Sequence, residues 1–134
     1  MSTLCDEFAQ ILKGEEETDA PAGVCFVTRM RNDINAEILG RKTNSKVVFY
    51  MSFSFEDLDS NGNALCFGEF VYRQKEVQPF LDAMEGKGIK ITAVHNHWLF
   101  DNPRLMYIHW EAIMEPLTFA TISSNALDAA IGMG

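Results

Sequence analysis

The stretch Ile89-Lys90-Ile91-Thr92-Ala93-Val94-His95-Asn96-His97, the turn formers Asp101-Asn102-Pro103-Arg104, and then Leu105-Met106-Tyr107-Ile108-His109-Trp110-Glu111 read as two strands around a turn. All three histidines of the chain lie in it. Side chains alternate faces along a strand, so His95 and His97 share one side of theirs, as do His109 and Glu111. An antiparallel hairpin folded about Pro103 is expected to set His97 opposite His109 and His95 opposite Glu111. Directly opposed side chains have Cβ atoms roughly 5 Å apart, close enough for three imidazoles and a carboxylate to share one divalent cation. Met106, Ile108 and Trp110 then take the other side, toward a core.

The rest of the chain supplies partners for this hairpin. Val24 to Met30 resembles a strand, and the polar connection beginning at Asn32-Asp33 leaves room for another through Ile38. Val47 to Phe55 is expected to be a strand, with Phe49, Met51, Phe53 and Phe55 on its apolar face. Asp59-Ser60-Asn61-Gly62-Asn63 then turns into a further strand, Ala64 to Tyr72. The same loop resembles a calcium site superficially, but it lacks a glutamate at the twelfth position and flanking helices, so no metal is assigned to it. Helical spacing is found at Leu4, Phe8, Ile11 and Leu12, at Val77, Phe80, Leu81 and Met84, and from about Pro116 to Ala130. Glu15-Glu16-Glu17 to Pro21 reads as a solvated loop. This order predicts an α+β fold, a largely antiparallel sheet with helices packed on one face, in a single domain. An N-terminal helix and acidic loop (1–22) precede the domain proper (23–134).

With 134 residues, 47% hydrophobic and 22% charged, the chain is long and apolar enough to bury a core without disulfides or a metal to hold it together. A net charge of −8 argues against a phosphate backbone or an anionic membrane as main partner. The expected partner is a small molecule, with no nucleic acid and no membrane. Cys5, Cys25 and Cys66 are odd in number, widely spaced and without a C-x-x-C pair, so they are expected to be reduced thiols of a cytoplasmic protein. Residues 1–5 lack a basic segment leading into an apolar run, so no secretory or lipoprotein signal is expected. Nothing in the sequence indicates an oligomeric state.

A single histidine on a half-exposed sheet face is usually only a hydrogen-bonded residue, but three on one hairpin beside a carboxylate point to coordination. His95, His97, His109 and Glu111 are the candidate ligands, and zinc suits a set of three nitrogens and one oxygen, although imidazole also serves iron, nickel and copper. Glu69 is a carboxylate on the same strand face as Leu65, Phe67 and Val71, a candidate ligand, histidine anchor or general base. Tyr107 lies beside His109 on the proposed face, either to donate to a bound substrate or to line a core. Arg104 either closes the turn or meets an acidic ligand. His95-Asn96-His97 is not the dispersed motif of HNH nucleases, and no nucleophilic triad or phosphate-binding glycine loop is marked.

Gly68-Glu69-Phe70-Val71, Glu76-Val77-Gln78-Pro79, the run from Gly88 to His97, Pro103-Arg104-Leu105-Met106 and His109 together resemble the bacterial LppY/LpqO-type family of unknown function. Arg31-Asn32-Asp33-Ile34 is similar to that family's Arg-x-Asp-Leu segment. The resemblance implies a shared fold and a shared histidine hairpin but no reaction. That family commonly has Gly-Asp in place of Gly68-Glu69 and a second histidine in place of Glu111, and an exchange of histidine for glutamate keeps a metal ligand. The reading as a whole is a metal-binding protein, a hydrolase or lyase. The alternatives are a metal-free binding module for a small ligand or protein segment, and a metal sensor.

Overall fold

The computed structural model describes residues 2–132; Met1, Met133 and Gly134, at the ends of the two expected domain ranges, lie outside them. In chain order the elements are α1 (Ser2–Leu12), β1 (Glu15–Glu16), β2 (Cys25–Met30), β3 (Ala36–Ile38), β4 (Arg41–Thr43), α2 (Lys46–Phe49), β5 (Tyr50–Glu56) and β6 (Ala64–Arg73). A 3₁₀ turn over Gln74–Glu76 leads into α3 (Val77–Met84), then β7 (Lys90–His95), β8 (Asp101–Asn102), β9 (Leu105–Met114) and α4 (Pro116–Ile131). The fold is α+β, as expected. A six-stranded sheet runs β1-β2-β5-β6-β9-β7 with antiparallel pairing throughout, and a three-stranded one runs β4-β3-β8.

Alternation decides which face of the large sheet meets the helices. Val27, Phe53, Gly68 and Trp110 are directly opposed across four strands and face a core shared with Phe8 of α1, Phe80 of α3 and Phe119 of α4. Gly68 is required there, because a Cβ at this position would collide with the Trp110 indole. That indole donates from Nε1 to Ser123 Oγ at 2.9 Å, tying β9 to α4. α4 starts where Glu115 caps it, accepting from the backbone N–H groups of Leu117 and Thr118, with Pro116 in the first turn. It ends at Gly132, whose φ of 77° suits a left-handed cap.

Asp59 shapes the β5–β6 connection by accepting from the backbone of Asn61 and Asn63, both at 2.9 Å. No described helix is long and apolar enough to cross a membrane.

Three local expectations are corrected. Val47 to Phe49 belong to a helical turn, because Ser45 caps it by accepting from the Val47 N–H at 3.1 Å; β-branched composition suggested a strand that starts only at Tyr50. Glu15 and Glu16 pair with Thr28 and Val27 as a short edge strand instead of remaining in a loop. Cys5 and Cys25 form a disulfide joining the buried face of α1 to the start of β2, leaving Cys66 as the free thiol. The partners' separation of 20 positions hid that pairing from a reading by spacing, and the reduced-thiol expectation for both is overturned.

Candidate metal centre

The hairpin that carries the histidines is wider than its sequence suggests. β7 pairs with β9 so that His95 faces Tyr107 and Ala93 faces His109, with an irregularity between Ile91 and Ala93 that leaves Thr92 as a bulge. The expected opposition of His95 to Glu111, and of His97 to His109, is therefore incorrect. Pairing stops at His95 because the connection does not turn tightly at Pro103: Asp101 and Asn102 depart to pair with Ile38 and Glu37 of β3. The displacement of His95 along β9, from Glu111 to Tyr107, is an even number of residues, so His95 and His109 keep a common face. Thr92 Oγ1 donates to the His109 carbonyl at 3.2 Å across the bulge.

His95, His97 and His109 come together: one ring nitrogen from each lies within 4.8 Å of the other two. The His95 ring stacks on His97 with centroids 4.8 Å apart and on His109 at 5.1 Å. Ligand nitrogens around a tetrahedral zinc stand roughly 3.4 Å apart, so the rings must turn inward about their side-chain torsions to hold an ion. His97, in the loop beyond β7, lies on the Tyr107 ring with centroids 3.7 Å apart and planes 5° from parallel. Partial burial, and then the charge of neighbouring His95, hold the His97 imidazole below its ordinary titration range, which favours the neutral, coordinating form.

The remaining candidates are distributed differently from one another. Glu69, directly opposite His109 on β6, places Oε2 3.8 Å from His109 Nε2. Glu111 lies outside the three-histidine group; its cross-strand neighbours are Phe67 and Lys90. Tyr107 is buried, and its phenol is occupied, donating to the Val48 carbonyl at 2.9 Å and accepting from Trp98 Nε1 at 2.8 Å. Burial is the main cause that pushes this phenol up to about 12. Its arrangement fits support of His97. Arg104 closes its own turn through Asp101 at 2.9 Å and lines a separate cavity with Glu37, Leu99 and Phe100.

Beside the cluster, a cavity of about 160 Å³ opens on the large sheet between Ser52, Ser54, Phe67, Glu69, His109 and Glu111. Sequence reasoning missed Ser52 and Ser54, although their alternation with Phe53 and Phe55 put them on this face. It also missed the role of Arg31. Buried Arg31 holds Glu76 at 2.6 and 2.7 Å, Asp33 at 2.8 Å and the Val71 carbonyl at 3.1 Å, so the Arg-x-Asp segment anchors the exit of β2 to the start of α3.

Among known proteins, no curated protein and no solved structure matches the chain. A family model described as Domain of Unknown Function (DUF1259) matches residues 6–129, a span that runs from α1 into α4 and includes every residue of the site. This protein belongs to the DUF1259 family.

Proposed function

We propose that the chain binds one divalent metal ion through His95, His97 and His109 and uses it as a hydrolase or lyase acting on a small molecule. The convergence of three histidine ring nitrogens within 4.8 Å of one another, from β7, the loop after it and β9, carries this reading. Three protein ligands leave a fourth position for water or substrate, where a metal acidifies the water or polarises a carbonyl. Zinc suits the donor set best, as an ion that imidazoles hold tetrahedrally. Glu69 is the carboxylate placed to exchange a proton with a molecule at that position, and Glu111, two residues along β9 from His109, faces the adjoining cavity. The resemblance to LppY/LpqO-type proteins is compatible with such a site. The Cys5–Cys25 disulfide suits an oxidising compartment better than the reducing cytoplasm inferred from cysteine spacing.

The test is elemental analysis of protein purified without an affinity tag, alongside His109→Ala and Glu69→Gln. Near one equivalent of metal in the parent and in Glu69→Gln, and none in His109→Ala, is the expected result. Glu69→Gln should also lose whatever turnover a substrate screen finds. A parent protein that holds no metal and takes up none from zinc, iron, manganese, nickel or copper overturns the reading in favour of a metal-free binding module.

A further inference from the structure

The open face of the large sheet presents two parallel rows of side chains beside the histidine cluster. Ser52, Glu69 and His109 are directly opposed across β5, β6 and β9, and Ser54, Phe67 and Glu111 form the next row. Opposed residues are spaced about 5 Å apart and the rows about 7 Å, so the six positions make a platform of roughly 10 by 7 Å. The cavity over it measures about 160 Å³, below the roughly 300–1,000 Å³ of drug-sized sites. A ligand held there would be small.

The lining also selects charge. No lysine or arginine borders the cavity, whereas two carboxylates do. Lys90 faces Glu111 across the strands but makes no ion pair with it, and no described residue does. A phosphate or carboxylate ligand could place one oxygen on an ion held by the histidines, but its remaining negative charge would lie against Glu69 and Glu111 with no lysine or arginine in the lining to offset it. An amine would meet the positive charge of an ion held by the histidines. What remains complementary is an uncharged molecule with many hydroxyl donors, and Phe67, 39% exposed at the centre of its row, offers an aromatic face to its C–H groups.

We propose that this trough binds a small polyhydroxylated neutral molecule, a monosaccharide or its alditol. Its hydroxyls lie on Glu69, Glu111 and Ser54, its carbon face lies on Phe67, and one oxygen reaches the metal. The proposal rests on the metal reading above.

The test uses the metal-loaded full chain and follows backbone amide shifts on titration with glucose, xylose, sorbitol and xylitol, against ethanolamine, acetate and inorganic phosphate. At least one sugar or alditol should saturably shift the amides of Ser54, Phe67, Glu69 and Glu111, and the three comparison compounds should not. Glu111→Gln should weaken that binding about tenfold, as loss of a hydrogen bond to a charged group does, with metal content unchanged. Phe67→Ala, at an exposed position that does not hold the core, should weaken it as well. Binding of phosphate, acetate or ethanolamine on this face overturns the proposal, as does a metal-loaded protein that binds none of the four sugars and alditols. Metal stoichiometry on the same samples separates the two claims: a one-to-one metal complex without sugar binding sinks the ligand class alone, while a protein that takes up no metal sinks both.

Discussion

The imidazole of His97 lies flat against the phenol ring of Tyr107, with centroids 3.7 Å apart, and Tyr107 is itself fixed by hydrogen bonds to Val48 and Trp98. A ligand carried on a loop thereby gains the rigidity of the sheet. Metal sites depend on such support, since residues behind the ligands orient the rings that bind.

Separating the stack from the hydrogen bonds is possible. Tyr107→Phe keeps the ring under His97 and removes the phenol, leaving the Val48 carbonyl and the Trp98 indole without that partner. Stability is expected to fall by about 1–3 kcal/mol in denaturant unfolding. Metal affinity should change only a few-fold. Tyr107→Leu removes the aromatic surface too and is expected to weaken metal binding by roughly 10–100-fold, measured by competition with a chelator.

Acid should release the ion. Imidazole must be neutral to coordinate, so bound metal is expected near one equivalent at neutral pH and to decline as the pH is lowered into mild acid. Elemental analysis after dialysis across a pH series checks this; metal retained unchanged well below the histidine range would place the ion on other ligands.

The Arg31–Glu76 pair makes a different prediction about acid. Burial alone would raise the Glu76 carboxyl, but hydrogen bonds from Arg31 and from the Arg73 backbone outweigh it and hold the group below its ordinary value. A carboxyl depressed in the folded state contributes stability that is present above its unfolded pKa, about 4.3, and that is lost as pH falls through the folded value. Glu76→Gln leaves buried Arg31 with the exposed Asp33 as its remaining carboxylate partner and is expected to cost about 1.5–3 kcal/mol near pH 7. The difference from the parent should narrow as the pH falls below 4, which urea unfolding at several pH values would reveal.

Gly68→Ala tests the packing behind the site. The added methyl group meets the Trp110 indole, so β6 and β9 must shift or the indole must leave Ser123. A loss of about 1–3 kcal/mol is expected from overpacking, read as a lower melting temperature. An unchanged melting temperature would mean that the core yields there at no cost.

Much of this architecture was legible in the chain because it is local. Alternation through Met106, Ile108 and Trp110 marked the side of β9 that meets the helices, and it put His109 and Glu111 on the other side, because the two-residue period of a strand depends on the backbone alone. Asp59 to Asn63 announced its turn through side chains that bond their own backbone. Tertiary structure decided what lies far apart in sequence. Cys5 met Cys25 and Arg31 met Glu76. It also decided that Glu69, not Glu111, is the carboxylate beside His109, and that His95 faces Tyr107. The period of a strand specifies a face but not a position along the neighbouring strand. That position was determined where Asp101 and Asn102 left the hairpin for β3, and by the strand that packed on the far side of β9.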